Sequence, residues 1–385
     1  MLGAPEKPPG AACCKRVEGT DALEAFIFAT PSSTQEGKRE QFQSMACNAR
    51  DALLAEGFAS TDIVSGWAHF ASAPSWRWQE ALAKVWQVSL PVPLPITGLL
   101  QPPAAPLRYC SLLVHVIRSG GTSRVWRGHT VRPSATTVLR ANARHLRLSS
   151  ILPRTGLADS TTVAEFTYDM LAQANHALTA RGLSFKDVVR TWLYVRNIDR
   201  NYGALNEGRN RFFGEQRITR FPASTCVEGT FFGADFPVAM DLYAVACNDD
   251  VGVEAIPPGP LGEAHVYGSS FARGVRLSEP GRSLVYLSGT PSIDAQGDVF
   301  SIGDVTGQLD RMFDNARALL GQVGMDLGRT VSAIAYLKHG EDYDDFLKAA
   351  LAHGLSSAVP TAVVIADICR SEWLCEIELC AARPT

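Results

Sequence analysis

Nowhere in the chain do the roughly 18 consecutive apolar residues of a transmembrane helix occur, so no span is expected. The nine cysteines include no CxxC pair and follow no zinc-type Cys/His spacing. That argues against a metal site or a disulfide framework and for free, mostly buried thiols in a reducing cytoplasm. Basic tracts with interleaved aromatics are missing and the formal net charge is only −3, so neither nucleic acid nor an anionic membrane is an expected partner. Gly120-Gly121 is followed by no GK[ST], which excludes a phosphate loop there. The first ten residues hold Pro5, Pro8, Pro9 and Gly10 and lack an apolar h-region, so they read as a tail and not as a signal peptide. His339 and His353 have no partners at metal spacing. No cofactor is expected.

What is present is ordinary globular material, 46% hydrophobic and 19% charged over 385 residues. At about 100–200 residues per domain, two to four domains are expected. The punctuation repeats. Three segments end a helical stretch in Ala-x₇-Gly: Ala49-Arg-Asp-Ala-Leu-Leu-Ala-Glu-Gly57, Ala174-Asn-His-Ala-Leu-Thr-Ala-Arg-Gly182 and Ala316-Arg-Ala-Leu-Leu-Gly-Gln-Val-Gly324. Each glycine suits a left-handed helix C-cap. A strand follows each one, over 63–71, 188–195 and 331–337. Then come Pro95, Pro222 and Pro360, and the copies close with strands over 109–117, 238–246 and 374–382. The periodicity predicts a disordered tail over 1–13 and three α/β modules over 14–120, 121–250 and 251–385, the first of them degenerate. Linkers are expected near 119–123 and 248–262.

Phe221-Pro-Ala-Ser-Thr-Cys-Val-Glu228, Leu287-Ser-Gly289 and Cys375-Glu-Ile-Glu378 resemble the signatures of the Rid/YjgF family. Members of that family are homotrimers with active sites between subunits. The resemblance therefore implies an α/β (α+β) pseudo-trimer of three chorismate-mutase-like modules, each a mixed sheet with two helices on one face. Such a chain would be a monomer with its sites between modules. The Rid imine and enamine hydrolases carry an arginine two residues after the proline, where this chain has Thr97, Ser224 and Ala362, so simple deaminase activity is not implied. Residues 125–385 resemble, more narrowly, the chorismatases. The matching stretches are Arg190-Thr-Trp-Leu-Tyr194, Tyr202 through Arg209, Phe221 through Thr225, Phe271-Ala-Arg273, Gly303 through Gln308, Ala366 through Arg370, and Glu376-Ile-Glu378.

Chorismate is a dianion, and guanidinium groups grip carboxylates with a two-pronged fork. The resemblance implies that Arg190, Arg209 and Arg370 converge between the second and third modules, joined by Tyr194 and Tyr202. Glu376 is the candidate catalyst. It sits in the strand Leu374-Cys-Glu-Ile-Glu-Leu-Cys-Ala-Ala382, otherwise almost wholly apolar, where a carboxylate is either paired, functional or turned to solvent by alternation. Aligning the closing strands sets Ala239 opposite Glu376 and Asp241 opposite Glu378, which predicts one active site per chain. Burial would raise the pKa of Glu376 and suit it to general-acid catalysis. In the family, Gly289 and Cys369 match the type that forms 3-hydroxybenzoate; Cys369 has no histidine near it in sequence to serve as a nucleophile's base. Three functions stay open: a chorismatase-like enzyme releasing pyruvate and a hydroxybenzoate or dihydroxycyclohexadiene carboxylate in a biosynthetic pathway, another Rid-fold biosynthetic enzyme on a small carboxylated imine or enamine, or a non-catalytic ligand-binding protein. Trp67, Trp76, Trp78 and Trp86 read as core or interface aromatics, and Glu228 as structural.

Overall fold

The computed structural model describes residues 11–19, 22–88, 94–118, 124–127, 133–158, 160–232, 235–264 and 268–385. The first module holds β1 (Ala12–Arg16), β2 (Glu24–Ala29), α1 (Lys38–Ala55), β3 (Ile63–Phe70), α2 (Trp78–Val85), β4 (Ile96–Leu100) and β5 (Cys110–Ile117). The second holds β6 (Arg124–Arg127), β7 (Ser134–Arg140), β8 (Ala143–Ile151), α3 (Val163–Thr179), β9 (Val188–Val195), α4 (Ile198–Glu215), β10 (Ala223–Glu228) and β11 (Val238–Ala246). The third holds β12 (Gly252–Ala255), β13 (Gly274–Glu279), β14 (Arg282–Pro291), α5 (Val305–Gly321), β15 (Thr330–Leu337), α6 (Tyr343–Ala352), β16 (Thr361–Ile365) and β17 (Cys375–Pro384).

The three sheets share one order, β1-β2-β5-β3-β4, β6-β7-β8-β11-β9-β10 and β12-β13-β14-β17-β15-β16. In each, the last two strands run parallel and all other pairs antiparallel. The chain is therefore an α+β tandem of three modules with mixed sheets. Gly57, Gly182 and Gly324 all take positive φ, +81°, +71° and +67°, so the repeat in the sequence is a repeat of helix C-caps.

Helices α1 and α2, and again α3 and α4, bury their apolar stripes on one face of their own sheet. The opposite faces meet on a central axis, where Phe26, Tyr243, Val245, Leu277, Tyr286, Val331 and Cys380 pack together. Short backbone bridges close the ring: Leu99 to Phe231, Val227 to Ile368, Ala223 to Ala272 and Pro103 to Val364. Buried ions cap the axis. Glu24 accepts from Arg140 at 2.5 Å, Arg282 at 2.7 Å and His115 at 2.8 Å, while Arg282 also reaches Glu279 at 2.5 Å.

The segment expected to be a tail over 1–13 lies outside the described residues through position 10, and Ala12 and Cys13 already pair with Ala29 and Phe28. The linker expected over 119–123 lies outside the described residues. Part of the one expected over 248–262 is a strand, β12, because Val253 packs towards the axis opposite Leu277. Among the described residues, no helix is long and apolar enough to cross a membrane, and no cluster of three metal-ligating side chains occurs.

Candidate functional site

A cavity of about 320 Å³ opens between the second and third modules. Helix α4 supplies Tyr202, Asn206 and Arg209 from one wall. Glu228 seats that helix: its two carboxylate oxygens accept the backbone N–H groups of Asn197 (2.9 Å) and Ile198 (2.7 Å), capping the positive end of the helix dipole. Strand β10 brings Ser224 and Cys226, β14 brings Gly289 and Pro291, and the turn before β17 brings Cys369, Arg370 and Trp373.

Three guanidinium groups line the space, on Arg209, Arg273 and Arg370. The ring of Phe271 lies under two of them, 5.8 Å from Arg209 and 5.5 Å from Arg273, and Trp373 lies 4.9 Å from Arg370. Arg273 is anchored by donating to the carbonyls of Gly262 (3.1 Å) and Leu261 (3.3 Å), Arg370 by donating to that of Gly297 (2.6 Å). Arg209 is tied to Asn206, and its Nε is buried with no hydrogen-bond partner among the described residues. The hydroxyl of Tyr202 lies 3.2 Å from Ser269 Oγ.

Glu376 enters from β17 and is the only carboxylate among the described lining residues. It is 4% exposed, so alternation turns it into the module interface and not to solvent. Its carboxyl faces the cavity and takes part in no hydrogen bond with another described residue. Burial pushes it up to about 8, helped by the neighbouring Glu378 and opposed by Arg190 and Arg273. At neutral pH the group is therefore mostly protonated, and the described lining carries three positive charges and no negative one. Gly289 makes room for it: a β-carbon there would fall 1.9 Å from Glu376 Oε1. The thiols of Cys226 and Cys369 are pushed up by burial, Cys226 to about 12, which keeps both neutral and unlike activated nucleophiles.

The structure thus brings together Glu376, Tyr202, Arg209, Gly289, Cys369 and Arg370. It sets Arg190 and Tyr194 apart. Arg190 Nη2 bonds Glu378 at 2.6 Å and Thr225 Oγ1, behind the cavity wall. Strand alternation explains this: β9 pairs Arg190 with Tyr243 of β11, which faces the axis. Tyr194 is 2% exposed and packs in the core against Phe231. Arg273 is the lining cation that sequence reasoning did not single out. Its signal was the Phe271-Ala-Arg273 stretch, whose aromatic contacts two of the three guanidiniums. The four tryptophans are core and interface groups, with Trp86 Nε1 donating to Ala46 O and Trp67 Nε1 to Asp241. His353 pairs with Asp310 and stacks on Phe313.

Three mixed-sheet modules wrapped into a ring, with an arginine-lined cleft at one junction, define a tandem Rid-like protein. Residues 147–246 and 270–383, more than half of the chain, match the Endoribonuclease L-PSP family, and the chain belongs to it. A chorismatase of Streptomyces hygroscopicus is 28% identical over 223 residues, 51% of this chain and 62% of the relative. A RutC family protein of Haemophilus influenzae is 32% identical over 89 residues, 21% of this chain and 66% of the relative. The chain thus spans less than two thirds of the length of these two relatives. The crystal structure of a chorismatase superposes with a TM-score of 0.61 at 20% identity, covering 84% of this chain and 93% of that one, a likeness of fold.

Proposed function

We propose that this chain, acting as a monomer, cleaves the enolpyruvyl ether of chorismate, with Glu376 as general acid. The observation that carries the reading is the pairing of a buried, protonated Glu376 with three guanidiniums in a cavity that holds no other carboxylate among the described residues. Such a site is charged for a small dicarboxylate and supplied with one proton. Arg209, Arg273 and Arg370 hold the two carboxylates. Glu376 gives its proton to the enol methylene, making a methyl group and an oxocarbenium ion at the ether carbon. Water adds to that carbon, the ether C–O bond breaks and pyruvate leaves; alternatively the neighbouring ring hydroxyl adds, the ether C–O bond breaks, and cleavage of that hydroxyl's own ring C–O bond with loss of the ring proton at the ether-bearing carbon releases pyruvate and an aromatic ring. The ring departs as a dihydroxycyclohexadiene carboxylate or, with one water fewer, as 3-hydroxybenzoate. The smaller product is favoured, because Gly289 and Cys369 both line the cavity beside Glu376.

The test is pyruvate release from chorismate, followed by coupled reduction to lactate, for wild type beside Glu376→Gln. A positioned general acid contributes about 10²–10⁴ in rate, and the variant should lose that factor. The wild-type kcat should fall as pH rises through about 8, where Glu376 ionises. Chromatography of the ring product assigns its type. No pyruvate from concentrated wild-type enzyme sinks the proposal.

A further inference from the structure

A second, smaller cavity of about 40 Å³ lies on the central axis, away from the arginine-lined cleft. All three modules line it: Ser65, Trp67 and His115 from the first, Arg147, Arg190, Trp192 and Tyr243 from the second, and Ser332, Ile334 and Glu378 from the third. Its charges do not balance. Two guanidiniums face one carboxylate, and Glu378 is already taken by Arg190 (2.6 Å) and Trp192 Nε1 (2.6 Å). The ions that cap the axis close among themselves, Arg140 and Arg282 against Glu24 and Glu279. His115 and His145 are pushed down to about 4 by burial and stay neutral. Arg147 is left over. It is 7% exposed and forms no ion pair or hydrogen bond among the described residues. Its guanidinium lies over the face of Tyr243, 4.2 Å away. Arg147 Nη1 and Arg190 Nη1 are both buried without a partner.

A buried guanidinium left unpaired is among the costliest groups a fold can carry. A cavity of this size holds water or a monatomic ion but no carboxylated substrate. We infer that the axial cavity is a binding site for a monatomic anion of the halide class, held by the unpartnered N–H groups of Arg147 and Arg190. The anion would supply the missing negative charge and tie the three modules at their common junction. It would be structural, and it is independent of the reaction proposed for the cleft.

The probe is chloride against gluconate, at fixed ionic strength and fixed sodium, on the full chain. If chloride occupies the cavity, Tm rises with chloride and saturates, by about 2 °C at ten times Kd. Arg147→Met should lose that dependence. Crystals of the wild type soaked in bromide give a readout that needs no variant: an anomalous peak between Arg147 and Arg190. A Tm indifferent to chloride, or a cavity holding only water in the bromide crystals, overturns the inference.

Discussion

The junction between modules two and three and that between modules one and two use the same strand positions to different ends. In β17 the two positions are Glu376 and Glu378, opposite Tyr336 and Ile334 of β15. In β11 they are Ala239 and Asp241, opposite Tyr194 and Trp192 of β9. Asp241 is buried but satisfied: Ser150 N (2.7 Å), Thr97 Oγ1 (2.9 Å) and Trp67 Nε1 (3.1 Å) all donate to it. Where Glu376 would project, Ala239 sits in an apolar cluster with Trp67, Leu99 and Phe231. One junction is a latch, and its polar group is fully paired. The other leaves one carboxyl without a hydrogen bond among the described residues, beside a cavity. Buried polar groups are ordinarily bonded, so a carboxyl without a hydrogen bond among the described residues makes this junction the candidate for chemistry.

The largest way to break this contrast is Gly289→Ala. The new methyl group would meet Glu376 Oε1 and force it out of place. Pyruvate release should fall about 100-fold, as a displaced catalytic group costs on that scale. The matching position across the first junction is Ser150, and Ser150→Ala should leave the rate unchanged, since only its backbone N–H is used. Equal losses from both variants would end the distinction between latch and site.

A second pair sets the two carboxyls against each other in stability. Glu376 has a native pKa of about 8 against an ordinary 4.5, so the native state binds its proton more tightly than the unfolded chain does. Its contribution is fully present below about 4.5 and is lost as pH rises through 8. Glu376→Gln should therefore change little at pH 4 and stabilise by roughly 2–4 kcal/mol at pH 9. Burial also pushes Asp241 up, to about 7, so Asp241→Asn gains on the same ground at pH 9, but its amide cannot accept from all three donors, at about 1–3 kcal/mol, and its net gain should be smaller than that of Glu376→Gln. Denaturant midpoints at the two pH values decide it, and an Asp241→Asn stabilised as much as Glu376→Gln would show that the latch is no latch.

Much of this was readable beforehand. The three C-cap glycines gave the repeat, because a left-handed cap needs glycine wherever the helix ends. The apolar strand around Glu376 pointed to that residue, because a lone carboxylate there has to be explained, and the structure buries it in the cleft. Aligning the closing strands gave Ala239 and Asp241 as the counterparts, and the strand registers agree. Arg190 was misplaced because spacing along a strand does not say which side faces the axis and which the cleft. Arg273 was passed over because its place depends on a ring, Phe271, that it shares with Arg209, a contact made in space. Arg147 carried no signal in sequence, since what distinguishes it is a partner it lacks. Residues 252–255 read as linker because their apolar anchor, Val253, stands between Gly252 and Glu254.

The smallest test separates wall from latch by one hydroxyl. Thr225 and Thr97 occupy the same register, opposite Trp192 and Trp67. Thr97 donates to Asp241, whereas Thr225 accepts the N–H of Gly289 at 2.9 Å and a bond from Arg190. Valine removes one buried hydrogen bond at Thr97 and two at Thr225, so the variants should lose about 1 and about 2 kcal/mol of stability. Only Thr225→Val frees the backbone of Gly289, the wall against which Glu376 rests. Its kcat should fall about 3–10-fold while Thr97→Val keeps the wild-type value, because small shifts of a positioned acid are felt in rate before binding. Matching kcat values in the two variants would mean that the Gly289 wall does not set the position of Glu376.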